Sequence, residues 1–228
     1  MKAIKVIGAF VLGSIVAGHV QADLEVRNFD ITGFKLGMTP EEVEAKALEE
    51  DLTKYDEKMM TVRGDIENPF LYEQTWGNGQ LGRYTFEYMR PPSEPRLTYI
   101  KRDVSRQPSN PADLIQNSLM EKYGEPTGNN EGRSNATYYW YQAEGEENDR
   151  CATAKAKTVG AESCSGAQLR VSMSLVDGAT GKLARLRDAA LADFGIINQN
   201  KIDFDEHVAD VMLRLEQERL DRAEPPRL

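Results

Sequence analysis

The sequence predicts an α+β protein in which helices pack on an antiparallel β-sheet, and three observations support this class. Two segments begin with residues that typically cap a helix. Each is followed by stretches in which apolar and polar residues alternate, as expected of strands with one buried face. The last segment, residues 201–228, returns to the helical spacing of apolar residues.

Capping residues predict that the first helix begins at Pro40 and ends near Leu52. The Thr39 hydroxyl can accept a hydrogen bond from the first turn, and Pro40 lacks an N–H at a position where the helix needs none. Glu42 lies three residues after Thr39, which is the spacing of a capping box. The preceding residues, 23–34, are predicted to form a short strand and a leading loop.

Strand-like segments separated by turn residues follow the first helix. In one of them Tyr84, Phe86 and Tyr88 alternate with other residues, so the three aromatic side chains share one face. The Asn78-Gly79 pair tolerates the positive φ of a tight turn. The predicted strands are Met60–Ile66, Phe70–Trp76, Leu81–Met89 and Arg96–Val104.

A second helix is predicted to be capped by Asn110, with Pro111 as its first residue, and to end at Gly124. Residues 183–188 fit both a strand and a helix, and the hairpin loop before them favours a returning strand. The last helix is predicted to begin at Asp203 or Asp205, to run to about residue 223 and to have a charged outer face. The other predicted strands are Ala136–Gln142 and Gln168–Val176.

The recurrence of a helix start followed by strands is what two tandem modules would show. Chance recurrence of two helix starts is the alternative. On the first interpretation, residues 23–107 form one helix-plus-meander module and residues 108–200 form a second module that contains the cysteines. Residues 201–228 then form the C-terminal helix and tail.

Two segments carry a family resemblance. Residues 30–43, with Gly37-Met38-Thr39 and Val43, resemble the G-M-T-x-x-x-V helix start of small bacterial envelope proteins of the SmpA/OmlA family, which assemble the outer membrane, and more loosely of the β-lactamase-inhibitor-protein fold. Residues 120–126 resemble the K-Y-G-x-P helix end of the same proteins. The resemblance implies a helix-plus-antiparallel-sheet module that is used for protein contacts and not for catalysis.

The first 22 residues have the layout of a secretory signal peptide. Lys2 and Lys5 precede an uncharged apolar run at residues 6–17, and Val20-Gln21-Ala22 is a small-x-small cleavage sequence. The apolar run is shorter than the ~20 residues of a membrane-spanning helix, which is the alternative. We therefore expect export to the periplasm, with no stable membrane insertion after cleavage. No cysteine lies near the cleavage sequence, so the lipid anchor of the SmpA/OmlA proteins is not expected.

The two cysteines, Cys151 and Cys164, are predicted to form a disulfide because an even number of cysteines in an exported chain is typical of one. A metal pair or a redox dithiol would need a Cys-x-x-Cys spacing or a nearby histidine. The net charge of −9 argues against nucleic acid as a partner, since phosphate contacts need clustered lysine and arginine.

Catalytic motifs, cofactor sites and metal sites are not predicted. His207 is the only histidine after the signal-like segment, so a Ser-His-Asp unit would have to be built on it. It falls in the predicted first turn of the last helix, where a surface role is the usual one. Aspartate and glutamate are abundant, so a hydrolase that uses a carboxylate pair on cell-wall or polysaccharide substrate is the alternative function.

Two stretches predict a partner-binding surface. A locally basic segment contains Arg83 and Arg102, although outward-facing strand residues would look the same. Tyr138 and Trp140 alternate with Tyr139 and Tyr141, and one face of an antiparallel sheet can stay open. Tyrosine, tryptophan and arginine are enriched at interface hot spots. The expected contact residues are Arg83, Arg102, Tyr138, Trp140, Lys155 and Lys157.

These observations together predict a soluble periplasmic protein-interaction module without catalytic activity, such as an envelope assembly factor or an inhibitor-like binder. Its partner would be another protein. An immunity-type partner of a secreted protein is a further alternative.

Overall fold

The computed structural model describes residues 25–62, 65–104, 107–142, 151, 163–179 and 181–222. Within these residues it confirms the α+β class, with three α-helices, one large antiparallel sheet and one small sheet. The helices are α1 (Pro40–Glu49), α2 (Ala112–Tyr123) and α3 (Phe194–Asp221), and a 3-10 turn spans Val26–Asn28. The strands are β1 (Asp30–Ile31), β2 (Phe34–Lys35), β3 (Thr53–Val62), β4 (Asp65–Asn78), β5 (Gly82–Tyr88), β6 (Leu97–Asp103), β7 (Asn110–Pro111), β8 (Gly128–Glu131), β9 (Asn135–Gln142), β10 (Ala167–Gly178) and β11 (Gly181–Asp193).

The large sheet has the strand order β3-β4-β5-β6-β11-β10-β9-β8, and β7 pairs with β11. Four of these strands follow α1 and four follow α2 and run to the start of α3. The two groups meet at their last strands, because β6 pairs with β11. Both groups therefore belong to one sheet.

The core lies on one face of this sheet, which we call the inner face. Val43 and Ala47 of α1 and Tyr123 of α2 belong to the same buried cluster as the strand residues on this face. A row of buried residues crosses five neighbouring strands, each residue being the register partner of the next. The row consists of Phe86, Ile100, Leu191, Leu169 and Trp140.

Helix α1 begins as predicted. Thr39 Oγ1 accepts from the Glu42 N–H at 3.2 Å, and the Glu42 carboxylate accepts from the Thr39 N–H at 2.8 Å. The helix ends three residues earlier than expected because Asp51 adopts a φ of +54°. The Leu52 N–H then donates to the Ala47 carbonyl at 2.9 Å, which closes a Schellman motif.

The predicted start of α2 is wrong by one residue. Asn110 and Pro111 are extended and pair with Ala184 and Leu183 of β11, so the helix begins at Ala112 without a side-chain cap. The predicted strand Met60–Ile66 is also wrong, because these residues fall on two antiparallel strands, β3 and β4.

The strand predicted at residues 183–188 is confirmed and extends to Asp193. The predicted start of the last helix is wrong, since α3 begins at Phe194, directly after β11. Asp193 is almost fully buried and accepts from the Ile196 N–H at 3.0 Å, and Arg27 forms an ion pair with it. Asp193 thus ends the strand and caps the helix without an intervening loop.

The start of α3 covers part of the second face of the sheet, which we call the outer face. Phe194 and Ala192 form a small buried cluster with Cys151 and Cys164. The predicted disulfide is confirmed, with the two Cα atoms 5.6 Å apart. Among the residues that the structure describes, the helices fall short of the length and apolar character that crossing a membrane requires.

Candidate interaction surface

Tyr138 and Trp140 lie on the inner face, and the expectation that they form an open aromatic surface is wrong. Each is only 3% exposed. The Trp140 Nε1–H donates to the Gly124 carbonyl at 2.9 Å, and the Tyr138 hydroxyl donates to the Glu131 carboxylate at 2.7 Å. Trp140 therefore joins the end of α2 to the sheet, Tyr138 joins β9 to β8, and neither presents a surface to a partner.

Arg102 is also held inside the fold, and its assignment to a partner surface is corrected. Its register partners are Tyr84 and Ala189, which are buried on the inner face. The guanidinium donates to Thr32 Oγ1 at 2.9 Å and to the Leu81 carbonyl at 3.0 Å, and lies over the Tyr84 ring. Arg102 thereby fixes the β1–β2 turn, in which Thr32 has a φ of +58°.

Arg83 is exposed on the outer face, with its guanidinium 5.9 Å from the centre of the Tyr55 ring. Its exposure leaves it accessible, and its role in binding a partner stays a prediction. Lys155 and Lys157 lie outside the described residues. The two cysteines are internal, so their role in the described structure is to hold the cluster under the start of α3.

The middle of the outer face is polar and internally paired. Lys101 forms an ion pair with Asp103 at 2.7 Å, and Arg170 forms one with Asp188 at 2.7 Å. Burial, together with nearby carboxylates, raises the pKa of Tyr99 to about 12. Asp103 and Asp188 are register partners on β6 and β11, so they form one of the neighbouring carboxylate pairs that a hydrolase could use. Each carboxylate is held by its own cation in this arrangement.

A different part of the molecule combines exposure with rigidity. Strand β4 pairs with β5 only from Glu73 onward, so residues 65–72 pair with β3 alone and form a two-stranded ribbon that extends past the rest of the sheet. Helix α3, about 42 Å long, runs along this ribbon. We call residues 59–62 and 65–72 of the ribbon and residues 201–221 of α3 the arm.

Three contacts fasten the helix of the arm to its ribbon. The Phe70 and Phe204 rings pack edge to face with centres 5.6 Å apart. The Arg90 guanidinium lies over the rings of both Tyr72 and Phe204, at 4.9 and 5.3 Å. Farther along, Arg214 pairs with Asp65 at 3.3 Å. A ribbon of two strands is marginally stable alone, so these contacts hold it in place.

Asn200 anchors the helix at the point where it enters the arm. Its Oδ1 accepts from the Arg90 N–H and its Nδ2 donates to the Arg90 carbonyl, both at 2.8 Å. The side chain is 6% exposed. One buried amide therefore satisfies both backbone groups of Arg90, which lies two residues after β5.

The arm carries most of the exposed large apolar side chains. Among the described residues twelve such side chains are exposed, and seven of them lie on the arm, with Ile66 79% and Leu213 70% exposed. Exposed apolar side chains that gather on one part of a surface mark a candidate interaction site. The seven residues are Met59, Met60, Ile66, Ile202, Met212, Leu213 and Leu220.

The arm was not predicted as a site from the sequence, and the prediction that the outer face of the last helix is charged is only half correct. That face also carries Ile202, Ala209, Leu213 and Leu220, which recur at steps of seven, four and seven residues. Such steps place all four within about 40° of one another on a helix. This row of apolar residues lies on the side of the helix opposite Val211. It was the sequence signal from which the site could have been predicted.

Comparison with family models, curated proteins and solved structures gives no match to this chain.

Proposed function

We propose that the protein is an exported, non-catalytic interaction module that binds another protein through the arm. The observation that carries this proposal is the concentration of exposed apolar side chains on an element that is firmly anchored to the sheet. A side chain such as Leu213, which is 70% exposed, contributes little to folding by burial. Covering the arm with a partner would remove this apolar area from water.

The composition of the arm suits an interface. Methionine side chains adapt to irregular partner surfaces, and three of the seven exposed residues are methionines. The backbone of the arm is held by Asn200 and by the packing of Phe70 on Phe204, so binding would order little additional chain. Low ordering cost favours affinity at a given contact area.

Export is part of the proposal and is supported by the signal-like residues 1–22 and by the Cys151–Cys164 disulfide, which is typical of oxidising compartments. The resemblance to SmpA/OmlA-type envelope modules supports the same compartment. An immunity-type function would use the arm in the same way, with a secreted protein as the partner. The identity of neighbouring genes separates these two cases.

Site-specific photo-crosslinking tests the proposal. A photoreactive phenylalanine analogue is placed at Leu213 or Ile66 on the arm, and at Leu114 or Val176, which are 57% and 53% exposed elsewhere on the surface. In cells that make the protein natively, we expect one protein adduct of defined mass from the arm positions and none from the control positions. Equal adducts from both sets, or none from the arm, would refute the proposal.

A further inference from the structure

We propose that the outward side of α3 binds a basic amphipathic helix of the partner protein. This inference rests on the proposed function and names the chemistry of the partner. The outward side presents six residues at alternating steps of four and three, the spacing of the contact line of a coiled coil. In order, this outer seam consists of Ile202, Glu206, Ala209, Leu213, Glu216 and Leu220, all exposed.

The opposite side of the same helix is already used by the fold. Asn200 and Val211 are buried there, and Phe204 contacts Phe70. At 100° per residue, Val211 lies diametrically opposite Ile202 on the helix. Helix α3 therefore has two contact faces, one packed on the protein and one facing solvent.

Charge determines what can occupy the outer seam. Helix α3 contains seven acidic and three basic residues, and two of the acidic residues, Glu206 and Glu216, lie on the seam itself. Asp205 and Asp210 lie beside the seam. Among the described residues, the structure gives Asp205, Glu206 and Asp210 no cationic partner, and Glu216 pairs only with the exposed Arg219 at 2.7 Å. A partner helix with Lys or Arg opposite the two glutamates would complement this pattern.

A second copy of the chain does not fit the outer seam. In an antiparallel pairing Ile202 would face Leu220, and Glu206 would face Glu216 of the other copy. In a parallel pairing each glutamate would face its own counterpart. Both arrangements place like charges opposite each other inside the contact, which is destabilising. An anionic lipid surface would be repelled by the same carboxylates.

The seam also sets the size of the partner element. Ile202 and Leu220 are 18 residues apart, which corresponds to about 27 Å of helix, or five turns. A partner helix of that length would place apolar residues against the leucines and the isoleucine. Its basic residues would stand ten residues apart, as the two glutamates do.

Two synthetic helical peptides of 21 residues test the inference against the full chain expressed from Met1. Both carry leucine at the four apolar seam positions. One carries lysine, and the other glutamate, at the two positions that face Glu206 and Glu216. The seam pattern reads the same in both directions, so one peptide serves for parallel and antiparallel binding. Fluorescence anisotropy measures the two affinities.

We expect the lysine peptide to bind at least about tenfold more tightly than the glutamate peptide. The double variant E206K/E216K should reverse this preference, and Leu213→Asp should abolish binding of both peptides. Leu114→Asp, an exposed leucine on α2, is the matched control and should bind like the unchanged chain. Circular dichroism melting confirms that each variant is folded.

Equal binding of the two peptides, or a preference that E206K/E216K does not reverse, would overturn the inference. Two other results would also overturn the inference. The unchanged chain could form a dimer, or bind phosphatidylglycerol vesicles, and lose that dimer or that binding on Leu213→Asp. Crosslinking from Ile66 on the ribbon is independent of the seam. If the peptides fail while Ile66 still crosslinks to a partner, the interaction function stands and the basic-helix partner is refuted.

Discussion

Replacing Asn200 with alanine should loosen the arm from the sheet. The change removes two hydrogen bonds of 2.8 Å and leaves the N–H and the carbonyl of Arg90 without their partner in a largely buried position. A buried polar group left unsatisfied costs about 1–3 kcal/mol, so the two groups together should lower the free energy of unfolding by about 2–6 kcal/mol. The lower value applies if water reaches the vacated site.

Urea unfolding, followed by tryptophan fluorescence, measures this loss. Hydrogen exchange should in addition show faster exchange of the Arg90 amide and of the α3 amides after residue 200, because these depend on the anchor. Gln199→Ala is the matched control, since Gln199 is exposed and, among the described residues, bonds only to Asp203 on its own helix. A loss below about 1 kcal/mol for Asn200→Ala, or an equal loss for Gln199→Ala, would show that the amide does not fasten the arm.

Three further predictions concern the core, the disulfide and the outer face. Trp140→Ala should lower the free energy of unfolding by about 3–5 kcal/mol, because it leaves a cavity on the inner face. Val176→Ala, at an exposed position, should change it little. Similar urea midpoints for the two variants would contradict the assignment of Trp140 to the core. Replacing Cys151 and Cys164 with serine should lower the stability by about 3 kcal/mol, and thermal melting of the double variant against the oxidised chain checks this. Tyr99 should ionise at about pH 12, against an ordinary value of 10, in an ultraviolet titration that uses Tyr99→Phe to assign the signal. The folded chain keeps this proton to a higher pH than the unfolded chain does. Stability from this group is therefore present below pH 10 and is lost as the pH rises to about 12.

The parts of the fold that depend on local chemistry could be predicted from the sequence. The capping box at Thr39 and Glu42 is made by residues three positions apart, so it needs no knowledge of the rest of the chain. The alternation of Tyr84, Phe86 and Tyr88 placed their side chains together, and the structure buries all three. The disulfide followed from the number of cysteines and the expected compartment.

The parts of the fold that depend on contacts between distant residues could not be predicted from the sequence. Alternation in residues 136–142 separates Tyr138 and Trp140 from Tyr139 and Tyr141, but it does not say which side the helices cover. Helices α1 and α2 cover the side of Trp140, so the face that was expected to be open is the core. The start of α3 was missed because Asp193 serves both as the last strand residue and as the helix cap, and no turn sequence separates the two elements.

The candidate site was missed for a related reason. The exposed apolar residues of the ribbon and of the helix are distant in the sequence, and only the folded chain shows that Phe70 and Phe204 join these two elements. Arg102 shows the opposite error. Its sequence neighbours made it look like a surface cation, whereas Thr32 and Leu81, which bind it, come from other parts of the chain.

The strand order of the large sheet, which rises from β3 to β6 and then falls from β11 to β8, has a consequence for how the chain folds. Pairings within each half of the large sheet join strands that are neighbours in sequence, so each half can form from successive hairpins. In the described residues the pairings that join the halves are those of β11 with β6 and with β7. The register of Asp103 with Asp188 therefore closes a loop of more than eighty residues, which costs more entropy than any single hairpin closure within either half. Docking of the two preformed halves should then limit the folding rate, and substitutions in β6 and β11 should slow refolding more than substitutions at the outer strands β3 and β8.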